Sequence, residues 1–149
     1  MIKHFLGIER KQWFGAGWIK AIFQWAILGA GAPTAAITSE TLLQTSSGWD
    51  NAPYTSYPEG APELTVRKIT IPAGGELTWH AHPMPNAAYI LSGEITVEDA
   101  NSIKRHFSAG QVIPEIVDAP HRGVIGAKPA VFIVFYAGVK GMPLSLQKQ

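Results

Sequence analysis

His80 and His82 stand one residue apart in LTWHAHPMPNAAYILSGEITV, Leu77 to Val97. On a strand, residues two apart share a face and lie about 6 to 7 Å apart along the backbone. Both imidazoles can therefore converge on one cation at bonds of about 2.0 to 2.1 Å. A third ligand must come from elsewhere. Of the five histidines, His121 is the candidate, because it follows an apolar segment and the turn DAP. His4 lies in an N-terminal segment of different character, and His106 sits in the basic run KRHF, expected on a solvated sheet surface. Spacing alone leaves two alternatives: a metal centre on His80, His82 and His121, or a pocket whose three rings are satisfied by protein hydrogen bonds.

The elements that position these residues are short and numerous. Runs at Glu63 to Ile71, Glu76 to His82, Ala87 to Leu91, Glu94 to Asp99, Ile103 to Phe107, Gln111 to Val117 and Ala130 to Ala137 are separated by PAGG, SG, DANS, SAG and GAKP. Those separators are turn formers. Seven strands with no helix pattern between them predict an all-β fold, a small antiparallel barrel or jelly roll. AVFIVFYA is apolar on both faces and predicts a central strand covered on both sides. EITVED alternates, with Ile95 and Val97 facing in and Glu94, Thr96 and Glu98 facing solvent. In ELTWHAH, Thr78, His80 and His82 share one face while Trp79 packs behind them. Pro83 and Pro85 then end ordinary ladder pairing.

Other polar groups are weaker candidates. Glu115 lies on the segment leading to His121 and has three alternative roles: metal ligand, general base, or orienter of an imidazole. A solvent-facing Glu115 is the competing expectation. Asp118 and Arg122 flank the His121 turn and predict a rim salt bridge. Tyr89 is a candidate cavity residue or a packed sheet aromatic. Met84 lies near the histidines, but flanking prolines argue against thioether ligation.

The chain of 149 residues is 46% hydrophobic and 15% charged, which suits one folded domain. Its net charge of +1 is unevenly spread. Lys3, Arg10, Lys11 and Lys20 oppose Glu9 alone before Ala36, and the remainder is slightly acidic. No phosphate-binding face and no interleaved basic-aromatic platform is present, so nucleic acid is not an expected partner. The absence of cysteine excludes disulfides and thiolate chemistry. There is no GxSxG elbow and no phosphate loop of the usual spacing.

Residues 1 to 36 read as a leader: a basic region, the uncharged run AIFQWAILGAGAPTAA, and a small-residue end where cleavage near Ala35 or Ala36 is expected. That predicts a periplasmic or secreted protein without integral membrane association; an uncleaved segment predicts a cytoplasmic one with an amphipathic N-terminal helix. A spanning helix is not expected, because Gly29 to Pro33 interrupts the apolar run. Residues 37 to 62 form an extended arm expected to bury Trp49, Tyr54 and Tyr57 against the domain of residues 63 to 149. Strand edges and this arm predict a homodimer.

The local pattern is Gly75, His80, His82, Asn86 and Gly93, followed by GQVIPEIVDAPH from Gly110 to His121. Here the sequence resembles the cupin superfamily, in its small single-domain, type-2-like form. The resemblance covers about Leu64 to Tyr136. It implies a β-barrel with a divalent ion held inside by the two first-motif histidines, an acid, and the second-motif histidine. Ligand roles thus fall on His80, His82 and His121, and Asn86 stands at the acid's place. The second motif also departs at Ile116 to Asp118, where Pro-x-Gly is usual, and at Ile125, where asparagine is usual. A carboxamide brings only a neutral oxygen, so Asn86 is a poor fourth ligand and a three-histidine site of higher positive charge is expected. Three neutral imidazoles with water suit zinc, and iron, manganese or nickel are alternatives. The functions implied are a metal-dependent oxygenase or isomerase-like enzyme acting on a small molecule, or a non-catalytic small-ligand binder; in the enzyme, Glu115 is a candidate proton-transfer group.

Overall fold

Alternating apolar runs punctuated by glycine and proline become strands in the computed structural model, which describes residues 36 to 148. The strands are β1 Pro62–Ile71, β2 Glu76–Ala81, β3 Asn86–Ser92, β4 Glu94–Asp99, β5 Lys104–Ser108, β6 Val112–Pro114, β7 His121–Ile125, β8 Ala130–Val139 and β9 Leu146–Gln147. Apart from Ala36, the leader expected at residues 1 to 36 lies outside the described residues. Among the described residues no helix is long and apolar enough to cross a membrane.

Two antiparallel sheets form a jelly-roll-like barrel, one in the order β1-β8-β3-β6 and the other β5-β4-β7-β2-β9. Their inner faces meet in an apolar core that includes Ile90, Ile95, Val97, Ile113, Ile125 and Phe132, all at most 4% exposed. Burying each such side chain contributes roughly 1.5 to 3 kcal/mol. Gly93 turns the β3–β4 hairpin with φ of 80°. A Cβ there would lie 2.5 Å from the Pro129 carbonyl oxygen and 2.7 Å from the Ala130 Cα, so both conformation and close approach require glycine.

Several expectations need correction. HRGVI, absent from the seven expected strands, is the strand β7, and it lies between β4 and β2. Its Gly123 is a packing glycine: a Cβ would lie 2.6 Å from the Ile95 Cδ1 atom. The β6 strand is shorter than expected, because Pro114 has no N–H to extend the ladder. β8 is central, but its outer face is not fully covered and Phe135 remains exposed. Glu98 is not a solvated outer residue; it is buried and accepts two hydrogen bonds from the Arg122 guanidinium, at 2.9 and 2.7 Å. Arg122 therefore pairs with Glu98, not Asp118, and its guanidinium also lies over the Trp79 ring at 5.2 Å.

The arm is ordered in part against the barrel. Trp49 is 1% exposed, whereas Tyr57 points into solvent. The Trp49 amide donates to the Pro114 carbonyl at 2.8 Å, and the Tyr54 hydroxyl donates to the Glu115 carbonyl at 2.8 Å. The arm thus fixes the backbone that follows β6.

Candidate metal centre

The ladder between β2 and β7 places His80 directly opposite His121. A register shift lies between Leu77 and His80, so the two strands do not pair regularly just before the histidines. His82 follows β2, where a parallel bridge to Val117 and a hydrogen bond from the Asp118 amide at 2.8 Å hold its backbone. Ring centroids stand 4.9 Å apart for His80 and His82, 4.6 Å for His80 and His121, and 5.2 Å for His82 and His121.

Backbone carbonyls decide the tautomers. The Nδ1 atom of His80 lies 2.7 Å from the Thr78 carbonyl, that of His82 lies 2.7 Å from Leu144, and that of His121 lies 3.0 Å from Ala119. A carbonyl oxygen only accepts, so each Nδ1 carries the proton. Burial holds His82 and His121 neutral, bringing each down to about 4. The Nε2 lone pairs are what the rings have left for ligation. One ligating atom from each residue lies within 4.8 Å of the others. An ion with bonds of 2.0 to 2.1 Å needs adjacent ligands about 3.3 Å apart in a tetrahedron.

Glu115 approaches His121 from the end of β6. Its Oε2 atom is 3.4 Å from the His121 Nε2 atom, and both atoms are buried without a hydrogen-bond partner. Burial pushes the carboxyl up to about 8. Asn86 begins β3 and is buried; its Nδ2 donates to the Met84 carbonyl at 3.2 Å, and its Oδ1 has no partner.

His80 and His82 line a cavity of about 180 Å3 between the sheets. Ile69, Ile71, Ile113, Phe132 and Val134 line it with hydrocarbon, while Arg67, Thr78, Glu115 and Tyr136 add polar groups. Burial, then the nearby Glu115, raise the Tyr136 hydroxyl above its ordinary value, and Arg67 opposes this. Tyr136, not Tyr89, is thus the cavity tyrosine: Ala88 and Ile90 define the inner face of β3, and Tyr89 alternates away from it. Arg67 and Tyr136 were not legible as site residues. Arg67 shares strand parity with Ile69 and Ile71, the one sequence signal that points it inward.

The other histidine and sulfur candidates settle elsewhere. His106 lies on the surface, 3.6 Å from a Glu94 carboxylate oxygen. Met84 is a core residue with no exposed surface. His4 is outside the described residues.

No family model and no curated protein matches the chain. Solved structures do match. A DMSP lyase, DddQ from Ruegeria pomeroyi, aligns with a TM-score of 0.51 and 21% identity over 57% of this chain and 43% of that one. A cupin-like protein from Thermotoga maritima aligns at 0.50 and 13% identity over 57% and 64%. The polyketide cyclase RemF from Streptomyces resistomycificus aligns at 0.50 and 16% identity over 60% and 63%. The chain thus spans less than half the length of the lyase. At these identities the likeness is one of fold, and it makes the protein a small all-β chain of cupin-like fold carrying a three-histidine cluster.

Proposed function

We propose that this protein is a metal-dependent enzyme acting on a small molecule, with His80, His82 and His121 as ligands of a divalent transition ion: zinc, iron, manganese or nickel. The observation that carries this reading is the set of three Nδ1 atoms committed to carbonyls, which leaves the Nε2 lone pairs for an ion, on three rings whose ligating atoms lie within 4.8 Å of one another. Second partners of this kind orient histidine ligands in metal sites generally. When bound, such an ion supplies Lewis-acid polarisation, or redox chemistry if the metal is redox-active.

The chain's own residues narrow the substrate. A cavity of about 180 Å3 is smaller than drug-sized pockets of roughly 300 to 1,000 Å3, so the substrate is compact. Isoleucine, valine and phenylalanine walls exclude water and accept an apolar body. The Tyr136 hydroxyl keeps its proton and serves as a hydrogen-bond donor. Arg67 adds a cation on the same cavity, and among the described residues no carboxylate lies within ion-pair distance of it. A small organic acid, with a short apolar body and one carboxylate, fits this lining.

The experiment is metal analysis of untagged protein purified without added metal, repeated on His82→Ala. A stoichiometric ion lost in the variant supports the centre, and equal metal in both removes it. Turnover assays with short carboxylic acids then separate an enzyme from a binder, which retains the acid unchanged.

A further inference from the structure

Two electron-rich atoms face one another in the interior with no hydrogen bond between them and no other partner. The Nε2 atom of His121 presents a lone pair, because its Nδ1 proton is committed to Ala119. The Oε2 atom of Glu115 lies 3.4 Å away, and neither atom has another partner. A shared proton would draw them to roughly 2.6 to 3.0 Å. An ion pair would also close to hydrogen-bond length, roughly 2.7 to 2.9 Å. An unpaired buried acceptor costs about 1 to 3 kcal/mol, and here there are two. The separation matches the third alternative. Two ligands on one ion with bonds of 2.0 to 2.1 Å stand about 3.3 Å apart in a tetrahedron.

We propose that Glu115 supplies the anionic ligand of the centre from the end of β6, in place of an acid at position 86 on the neighbouring strand. This rests on the three-histidine reading and assigns the ligand that it lacks. The backbone is built for it. The Glu115 amide donates to the Asn86 carbonyl at 3.0 Å, so the two residues adjoin across the β3–β6 edge. The Tyr54 hydroxyl donates to the Glu115 carbonyl, and the Trp49 amide to that of Pro114. Gly48 lets the arm approach this closely, since a Cβ on it would lie 3.2 Å from the Glu115 carbonyl oxygen. Asn86 keeps a structural part: its carbonyl supports Glu115, and its carboxamide nitrogen is tied to Met84.

The charge follows. Three neutral imidazoles and one carboxylate around a divalent ion leave +1, where three imidazoles alone leave +2. A second acid at position 86 would set two carboxylates side by side, so an asparagine there is the residue that a displaced acid calls for.

The test is cobalt and zinc affinity of metal-stripped protein, read by competition with a chromophoric chelator and by the visible spectrum of bound cobalt. The proteins compared are wild type, His82→Ala, Glu115→Gln, Asn86→Ala and the double variant Asn86→Glu with Glu115→Gln. Outer-sphere partners of metal ligands are typically worth 10 to 100-fold in affinity. Glu115→Gln is therefore expected to weaken binding by about 100-fold or more and to alter the cobalt spectrum. Asn86→Ala is expected to cost less than about 10-fold, and the double variant to recover affinity over Glu115→Gln. A wild type that binds no metal overturns the centre and this inference together. A wild type that binds, a His82→Ala that does not, and a Glu115→Gln within about threefold of wild type with an unchanged spectrum overturn this inference alone. If Glu115→Gln does not fold, Glu115→Asp is measured instead. Its shorter carboxylate is expected to weaken binding at least about 10-fold, and wild-type affinity overturns the assignment.

Discussion

The amide of Glu115 donates to the main-chain carbonyl of Asn86 at 3.0 Å, so the acid beside the histidines is a cross-strand neighbour of the asparagine that stands in the motif's acidic place. What holds Glu115 from the other side is Tyr54, whose hydroxyl reaches its carbonyl at 2.8 Å. Tyr54→Phe removes that bond while leaving every ligand intact. A single hydrogen bond is worth about 0.5 to 1.5 kcal/mol, so chemical denaturation is expected to show a loss of about 1 kcal/mol. Metal affinity is expected to fall severalfold with an unchanged cobalt spectrum. Wild-type affinity at that reduced stability would show that the arm does not position the acid.

Gly93 makes a sharper demand. Its φ of 80° and the 2.5 Å approach to the Pro129 oxygen involve backbone on both sides, which no side-chain rotation relieves. Gly93→Ala is expected to cost more than the 1 to 3 kcal/mol typical of overpacking, read as a lowered denaturation midpoint. Gly110→Ala serves as the control: it shares the positive φ, at 87°, but a Cβ there meets nothing within 4 Å. The difference between the two isolates the close approach from the conformational cost.

The same contrast between local and long-range constraint explains what the sequence disclosed. Gly93, the prolines after His82 and the parity of Thr78, His80 and His82 are local, and each shows in a few neighbouring residues. The strand at His121–Ile125 was hidden because Gly123 interrupts its period, and that glycine makes sense only beside Ile95 from another strand. Tyr136 was hidden because AVFIVFYA is apolar on both faces and so carries no parity. Glu115 was a candidate of uncertain role for a third reason. Its nearness to Asn86 depends on the pairing of Ala87 with Pro114, a register between strands that spacing along one chain does not encode.

The metal-free protein is expected to have a stability maximum near pH 6.5. His82 and His121 have folded values near 4 against 6.5, so their contribution is present above pH 6.5 and lost as pH falls towards 4. Glu115 has a folded value near 8 against 4.5, so its contribution is complete below pH 4.5 and lost as pH rises through 8. Between 4.5 and 6.5 two protons oppose one, and stability rises by about 1.4 kcal/mol per pH unit; between 6.5 and 8 the single carboxyl makes it fall by about the same. Urea titrations of stripped protein across this range check the shape. In Glu115→Gln the falling limb is expected to disappear, and its persistence would assign it to another group.

The outer face of β1 and β8 carries exposed apolar side chains on which the homodimer expected from the sequence would have to form. Leu64 and Val66 are 67% and 62% exposed, and Phe135, the register partner of Val66, is 41% exposed. Val66→Lys places a charge there without touching the core, and exposed substitutions of this kind usually change stability by within about 0.5 kcal/mol. Light scattering across a concentration series is expected to give a dimer for wild type and a monomer for the variant. A monomeric wild type at every concentration would remove the dimer.

Metal binding to the folded state alone stabilises it by mass action, about 2.7 kcal/mol at a free concentration 100 times the dissociation constant. Adding zinc to stripped protein is therefore expected to raise the unfolding midpoint with each decade of free metal, by an increment of about 1.4 kcal/mol. His82→Ala is expected to abolish the rise, because it removes one of the three rings whose ligating atoms lie within 4.8 Å of one another. His106→Ala is the informative contrast. That ring is surface-exposed near Glu94, so its loss is expected to leave the metal-dependent shift intact. A shift that survives His82→Ala and vanishes with His106→Ala would move the ion to the surface and away from the cavity.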